Sequence, residues 1–276
     1  MKAKTKIFLK NKCPRPLWRA LVSCYRKIRY LTCRLDSVIF PKKMKYYCPC
    51  CGISLPAFEK GDYEALGDFY DLSLFKGIRQ DILCPACGSL PRHRILATWC
   101  SANTGLLKSK DILYFAPERG MTTWMKHNRI AYKTADLYDT TCDLKLDIQD
   151  TGLGEDSLDL IICNHVLEHV LDYKKALTEM SRILRPGGIL ICSFPVASDV
   201  DTVYEDPTAD TEEKRLRLFG QSDHVRLFGI NSHKLIEEAG FEVSMIEGAD
   251  CPDEIVPVTG PCAYDINRLY VCKNHE

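Results

Sequence analysis

Between residues 156 and 193 the apolar positions change from a continuous run to helical spacing and back again. Residues 158–163 form an almost unbroken apolar run, typical of a strand covered on both faces of a sheet. Apolar side chains then recur at helical spacing from 166 to 184, and the Pro-Gly-Gly sequence at 186–188 ends this helix. A second apolar run follows at 189–192. The pattern therefore predicts a strand–helix–strand unit.

Helical and strand patterns alternate over the rest of the region 95–276. We predict helices at 94–101, 121–127 and 233–239, and strands at 111–115, 131–135, 143–147, 241–246 and 268–272. Such alternation favours a doubly wound α/β sheet. Ligands of these sheets bind at the carboxyl ends of the strands, which in the unit above means Asn164, His165 and the residues after Ser193.

The first 45 residues have a different pattern and form a separate predicted segment, 1–45. From Leu17 onward the sequence is amphipathic, and one face carries Leu17, Leu21, Cys24, Ile28 and Leu31. This segment has fourteen Lys or Arg residues and one acidic residue, Asp36. A basic amphipathic helix packs on its own domain, lies on an anionic membrane surface or binds nucleic acid, and the sequence leaves these three readings open.

Charge and cysteine content indicate the kind of compartment in which the chain is found. Basic and acidic residues balance at 37 each, so the net charge of +13 in residues 1–45 leaves −13 on the remainder. We expect no transmembrane helix, since no run of 18 apolar residues occurs, and no secretory signal. Fifteen cysteines, several of them in apolar strands, suggest a reducing, cytoplasmic location rather than a disulfide framework.

Two Cys-x-x-Cys-Gly sequences bracket a second predicted segment, 46–94. They supply Cys48 and Cys51 from one knuckle and Cys84 and Cys87 from the other, and Cys50 is left over. Four thiolates are the set that Zn²⁺ prefers in closed structural sites, where no position remains for an activated water. We therefore predict a structural zinc module. The alternatives are four unliganded core cysteines and a redox Cys-x-x-Cys pair.

Two stretches of the strand–helix–strand unit resemble a known family. Val-Leu-Glu-His at 166–169 and Leu-Arg-Pro-Gly-Gly at 184–188 match class I S-adenosylmethionine (SAM)-dependent methyltransferases, in particular the type 11 methyltransferase-like branch. The resemblance implies a seven-stranded Rossmann-like sheet whose last strand is antiparallel, with residues 241–248 and 267–273 as the closing hairpin. It also implies that residues 95–276 are a methyltransferase domain with SAM as its cofactor.

The resemblance assigns cofactor contacts to three strand ends. Asp136, with Leu137, stands where the family binds the ribose hydroxyls, and Asp147-Ile148 stands where it binds adenine. Asn164 and His165 would face the reactive end of the cofactor.

The loop that receives the methionyl part departs from the family pattern. It would comprise Ala116, Pro117, Glu118 and Gly120. Ala116 and Glu118 replace two glycines of the family, and Tyr114 stands where the family has an acid. A side chain at such positions hinders close approach of the backbone to a ligand. Our hypothesis is that the Glu118 carboxylate meets the cofactor's ammonium group.

Three residues are candidates for catalysis. His165 lies closest to the predicted methyl group and is a candidate base. His224 and Arg226 belong to the segment 219–229, where the family often has a substrate lid, and they would serve as base and anion clamp. The other interpretation of that segment is a polar loop held by its own Asp223.

The leading functional prediction is a SAM-dependent methyltransferase that acts on a small molecule, a glycan or a lipid-linked acceptor, with the basic segment holding it at a membrane. One alternative is an rRNA-type methyltransferase with a zinc module; the acidic charge of the catalytic part and the absence of an Asn-Pro-Pro-Tyr-like motif disfavour nucleic acid. Another alternative is a non-catalytic, zinc-containing interaction protein that has lost SAM binding.

Overall fold

The computed structural model describes residues 14–60, 81–108, 110–256 and 268–275. Its strands, in chain order, are β1 (Tyr46–Cys48), β2 (Ile53–Leu55), β3 (Glu59–Lys60), β4 (Asp81–Leu83), β5 (Ile112–Phe115), β6 (Lys133–Asp136), β7 (Leu144–Lys145), β8 (Leu158–Asn164), β9 (Leu184–Ser193), β10 (Val196–Ala197), β11 (Val203–Tyr204), β12 (Leu227–Gly229), β13 (Phe241–Glu247) and β14 (Arg268–Asn274). The helices are α1 (Arg15–Ile39), α2 (Pro91–Ala102), α3 (Thr104–Leu107), α4 (Arg119–His127), α5 (Tyr173–Ile183), α6 (Glu212–Phe219) and α7 (His233–Glu237).

Seven strands form the main sheet, in the order β7-β6-β5-β8-β9-β14-β13. The strands from β7 to β9 pair in parallel, whereas β14 is antiparallel to both of its neighbours. This confirms the predicted doubly wound α/β sheet and its closing hairpin. Parallel pairing brings the carboxyl ends of β5, β6 and β8 to one edge, where a ligand site is expected.

Alternation along the strands divides the core between the two faces of the sheet. Ile112, Tyr114, Leu160 and Ile162 point to one face, together with apolar residues of α2 and α4. The intervening residues of β5 and β8 point to the other face, which α5 covers. Because both faces are buried, the strands read as continuous apolar runs in the sequence.

The cysteine-rich segment shares the first of these cores. Cys48, Cys51, Ile53 and Phe58 belong to the same buried cluster as Tyr114 and the apolar residues of α2. The segment therefore packs directly on one face of the sheet. The predicted boundaries at 45 and 94 stay predictions, and apolar contacts run across the second of them.

The predicted helix at 166–184 is wrong at its start. The chain makes a turn after β8, and α5 begins only at Tyr173. Asp172 sets this start because its side chain accepts a hydrogen bond from the amide of Lys175, an N-cap that ends the preceding turn. The remaining predicted elements occur, with ends that differ by a few residues.

A smaller three-stranded sheet, absent from the sequence prediction, lies beyond β9. In it β12 pairs in parallel with β10 and antiparallel with β11. Gly229 at the end of β12 is tightly enclosed, since a Cβ there would lie 2.2 Å from the carbonyl oxygen of Val200. This sheet fixes the segment 219–229 beside the carboxyl end of β8.

Helix α1 packs through one side only. Tyr30 and Cys33 contact the first core, whereas Leu17, Leu21, Ile28 and Leu31 are each more than half exposed. The apolar face predicted from the sequence therefore points to solvent. Within the described residues no helix is both long and apolar enough to cross a membrane; the Lys-rich start of the predicted segment, residues 1–13, lies outside them.

Candidate cofactor and metal sites

The four knuckle cysteines converge as the sequence predicts. The Sγ atoms of Cys48 and Cys87 are 3.7 Å apart, those of Cys51 and Cys84 are 3.9 Å apart, and all four lie within 4.8 Å of one another. Tetrahedral zinc with Zn–S bonds of about 2.3 Å places its sulfurs about 3.8 Å apart. The donor set and its spacing therefore fit a structural Zn²⁺ ion.

The two knuckles have the same backbone geometry. Gly52 and Gly88 have φ angles of +69° and +79°, a conformation that glycine adopts without steric cost. Each glycine amide donates to the carbonyl of the first cysteine of its knuckle, at 2.8 Å. Cys50, the leftover cysteine, is buried, and its thiol donates to the carbonyl of His93.

A buried arginine provides positive charge beside these thiols. Arg94 is fully buried, and its guanidinium donates to the carbonyls of Ile82, Ser89 and Ile255 and stacks 3.9 Å from the ring centre of Phe58. Burial lowers the pKa of Arg94, and nearby cysteine thiolates oppose this effect. A cation held here offsets the negative charge that four thiolates bring to a zinc site. Sequence reasoning took Arg94 only as the start of a helix.

Tyr114, at the position where the family has an acid, holds the predicted methionyl loop through its hydroxyl. Its buried hydroxyl accepts a hydrogen bond of 3.1 Å from the amide of Glu118. Burial raises the pKa of Tyr114, so the hydroxyl stays protonated at neutral pH. Ala116 adopts a φ of +45°, and its amide donates to the carbonyl of Ala135 in the neighbouring strand. The loop is therefore hydrogen-bonded to the sheet at Ala116 and at Glu118, the two positions where the family has glycine.

Glu118 is paired with a guanidinium and a buried imidazole. Arg92 donates to its carboxylate through Nε at 3.1 Å, and Nε2 of His93 lies 2.7 Å from Oε2. Burial alone would raise the pKa of Glu118, but His93 and Arg92 outweigh that effect and hold the pKa well below its usual range. The hypothesis that this carboxylate meets the cofactor's ammonium group is thus not favoured, because Arg92 and His93 already contact both of its oxygens.

Gly120 is required by packing against the cysteine module. A Cβ at this position would lie 3.0 Å from Cγ of His93 and 3.0 Å from Cβ of Ser89. The Ser89 hydroxyl, in turn, is 3.1 Å from Sγ of Cys48. The surviving glycine of the loop therefore links the loop to the cysteine cluster through one intervening residue. Pro117 lies between Ala116 and Glu118, with its side chain partly exposed.

The other predicted cofactor residues meet at one edge of the sheet. The register places Phe115 level with Ala135 and with Cys163, so the following residues, Asp136 and Asn164, end their strands at the same level on either side of Ala116. Asn164 is buried; its Oδ1 accepts from the Ser193 hydroxyl, and its Nδ2 has no partner within the described parts of the chain. An unsatisfied buried donor at this edge is consistent with a polar ligand there.

The two acids of the cofactor prediction are accessible. Asp136 accepts hydrogen bonds through Oδ1 from the amides of Tyr138 and Asp139, and Asp147 accepts from the amide of Gln149. Both carboxylates cap local turns and remain partly exposed. Leu137 is exposed and Ile148 is buried, so the two apolar neighbours lie in different environments.

His165 and His224, predicted from distant segments, both lie near Glu168, and His169 joins them. His165 has a φ of +51° and its Nδ1 lies 3.1 Å from Oε1 of Glu168, while the rings of His169 and His224 meet edge to face at 4.7 Å. Burial lowers the pKa of His224 to about 4, against the opposing charge of Glu168. Burial would raise the pKa of Glu168, but the histidines keep it below its usual value. In the sequence, Glu168 was noted only as part of the family motif at 166–169, and its proximity to these histidines was not predicted.

Arg226 has a structural position in place of the predicted anion clamp. Its guanidinium donates to the carbonyls of Leu167, Val170 and Leu171, and it also pairs with Glu205. These contacts use most of its donors and fasten the segment 219–229 to the turn after β8. The structure therefore disfavours Arg226 as a substrate ligand. The sequence contains no pattern that predicts three carbonyl partners for this residue.

Residues 85–192 match the sequence model of a family described as "Methyltransferase domain". A stretch of 54 residues is 41% identical to the reducing polyketide synthase Preu2 of Preussia isomera, and it covers 20% of this chain but only 2% of that protein.

Two solved structures with a similar fold are methyltransferases. The 1,6-didemethyltoxoflavin-N1-methyltransferase of Burkholderia thailandensis, with bound S-adenosylhomocysteine, is 14% identical, with a TM-score of 0.45 over 67% of this chain and 79% of that one. A SAM-dependent methyltransferase from Archaeoglobus fulgidus is 13% identical, with a TM-score of 0.42 over 66% and 94%. Both TM-scores are below 0.5, so these likenesses carry no argument, and the functional assignment depends on the family match.

Replacing Cys84 with Ser should release about one equivalent of zinc per chain and lower thermal stability, because three thiolates and a hydroxyl bind Zn²⁺ poorly. Cys100→Ser is the matched control, since Cys100 is equally buried but lies outside the cluster. Elemental analysis and thermal unfolding of both variants measure the effect. Equal zinc content in Cys84→Ser and the parent chain would contradict the assignment of this site.

Proposed function

We propose that this chain, whose residues 85–192 form a class I SAM-dependent methyltransferase domain, transfers a methyl group from SAM to a small-molecule, glycan or lipid-linked acceptor. The observation that carries the proposal is the common edge formed by Ala116, Asp136 and Asn164 at the carboxyl ends of three parallel strands. It coincides with the part of the chain that matches the family. The Cys48, Cys51, Cys84 and Cys87 cluster would hold a structural Zn²⁺ ion behind this edge.

Each part of the cofactor has residues suited to hold it. The loop 116–120 and the first turn of α4 would hold the methionyl part, Asp136 the ribose hydroxyls, and Asp147 with Ile148 the adenine. The sulfonium group supplies an electrophilic methyl carbon when SAM is bound. Binding of the acceptor in line with that carbon is then the main task of the protein.

His165 would act as the base for the acceptor. It follows β8, at the end of the proposed cofactor site where we expect the methyl group, and Glu168 lies 3.1 Å from its Nδ1. With a proton held on Nδ1 toward the carboxylate, Nε2 is left to accept a proton from an acceptor hydroxyl or amine. Glu168 is therefore a positioning residue for His165. His224 is second to His165 as a base, because it is buried behind this position.

The non-catalytic alternative depended on the altered loop. The bond from the Glu118 amide to the Tyr114 hydroxyl supports a loop that keeps its shape without the family's acid. We therefore favour retained SAM binding. The rRNA-type alternative rests on the sequence alone.

Asp136→Asn should weaken binding of S-adenosylhomocysteine about tenfold, because a ribose hydroxyl donates more strongly to a carboxylate than to an amide oxygen. Asp143→Asn is the control, since its carboxylate binds the amide and hydroxyl of Thr134, two residues before Asp136 on the same strand. Calorimetric titration with S-adenosylhomocysteine measures the effect and does not require the acceptor to be known. Undetectable binding to the parent chain at millimolar ligand would refute the proposal.

We further propose that α1 holds the protein at an anionic membrane surface, which fits a lipid-linked acceptor. The exposed apolar face of α1 carries Leu17, Leu21, Ile28 and Leu31, and Arg26, Lys27 and Arg34 flank it. An apolar face bordered by basic side chains is typical of helices that lie in a membrane interface. The cytoplasmic location predicted from the cysteines agrees with such a peripheral role and stays a prediction.

The parent chain should sediment with phosphatidylglycerol vesicles and not with phosphatidylcholine vesicles. The double variant Leu21→Glu/Leu31→Glu should bind at least about tenfold more weakly, since burial of each leucine is worth about 1.5–3 kcal/mol. Leu106→Glu changes an exposed leucine outside α1 and should behave like the parent. Unchanged sedimentation of the double variant would exclude α1 as the membrane-binding element.

A further inference from the structure

Glu168 is a buried carboxylate whose charge is poorly satisfied. The residue is 1% exposed, and neither carboxylate oxygen accepts a hydrogen bond of ordinary geometry from the described residues. The ring nitrogen Nδ1 of His165 lies 3.1 Å from Oε1. Removal of a carboxylate from water is costly unless a cation or several donors compensate for it. Glu168 therefore lacks most of the compensation that its burial requires.

Two histidines beside Glu168 have a fixed proton position. Nδ1 of His169 lies 3.2 Å from the carbonyl oxygen of Asp223, and Nδ1 of His224 lies 3.2 Å from the carbonyl oxygen of Phe219. A carbonyl oxygen only accepts, so both Nδ1 atoms must carry the proton. Each Nε2 then presents a lone pair. Histidines that bind metals are typically held in this way, with the other ring nitrogen donating to a carbonyl or carboxylate.

The three side chains are brought together by contacts between distant segments. One ligand atom from each of Glu168, His169 and His224 lies within 4.8 Å of the other two. The amide of Val225 donates to the carbonyl of Glu168 at 2.9 Å, and Arg226 binds the carbonyls of the same turn. The cluster is thus built on a backbone that is fixed on both sides.

We propose that Glu168, His169 and His224 form a second metal site, which takes a divalent transition-metal cation. Two imidazoles and one carboxylate suit Zn²⁺, Ni²⁺ or Fe²⁺ and leave coordination positions open for other ligands. A cation here would supply the charge that Glu168 lacks. The cysteine cluster cannot serve the same purpose, since its four thiolates already complete a tetrahedral set.

The location suggests what the open positions would bind. Glu168 follows Asn164 and His165 at the carboxyl end of β8, where the proposed cofactor presents its methyl group. An oxygen of the acceptor could therefore complete the coordination of the cation and gain acidity from it. This use of the site rests on the proposed function, whereas binding of the cation does not.

Calorimetric titration of the untagged, zinc-loaded chain with Ni²⁺ tests the site. We expect one Ni²⁺ per chain in addition to the zinc of the cysteine cluster. Glu168→Gln and His224→Gln should each weaken Ni²⁺ binding at least about tenfold, in line with the cost of losing a ligand. His169→Gln, at a partly exposed ring, gives the same test at lower risk to folding. His127→Gln, an exposed histidine on α4, is the control.

The proposal is overturned if the parent chain takes up no Ni²⁺, or if the three site variants bind it as tightly as the His127→Gln control. Binding of S-adenosylhomocysteine, measured on the same samples, separates this outcome from failure of the proposed function. A chain that binds Ni²⁺ through Glu168 but has no affinity for S-adenosylhomocysteine would keep the metal site and lose the methyltransferase assignment.

Discussion

The packing of residues 89–93 against the loop 116–120 is the contact on which the functional interpretation depends. Gly120 lets Ser89 and His93 approach to a distance at which a Cβ would be crowded, and Glu118 binds Arg92 and His93 from the same direction. Ser89 also reaches the sulfur of Cys48. The cysteine cluster and the loop that would hold SAM are therefore consecutive parts of one packed unit. We infer that metal binding at the cysteines determines the shape of the cofactor loop.

Two glutamates near this edge show how the groups that contact a carboxylate determine its role. Glu118 has a guanidinium and an imidazole within bonding distance, and they hold its pKa far below the usual range. Such a fully paired carboxylate fixes structure. Glu168 is more deeply buried, with its side chain 2% exposed against 19% for Glu118, yet neither of its oxygens accepts a hydrogen bond from the described residues. A carboxylate whose burial is incompletely compensated is a more promising functional group.

The sequence predicted what depends on local pattern. The strand at 158–163 was predicted because burial on both faces leaves a direct mark on the chain, whereas the closing hairpin was an implication of the family resemblance. The knuckle cysteines were predicted because their spacing alone specifies the chemistry. The partners of Glu118, 25 and 26 residues away, and the contact of His169 with His224 were not predictable, since they arise from tertiary packing of segments with no shared pattern. The carbonyl partners of Arg226 could not be predicted for the same reason.

Amide hydrogen exchange of the zinc-loaded and the chelator-treated chain tests the coupling most directly. The amides of Ala116 and Glu118 are bonded to Ala135 and to the Tyr114 hydroxyl, so they report the state of the loop. We predict that removal of zinc increases exchange across residues 116–120 together with 84–94, while the central strands β8 and β9 remain protected. Exchange that increases only within residues 46–60 and 81–88 would show that the loop keeps its shape without the metal, and would contradict the account.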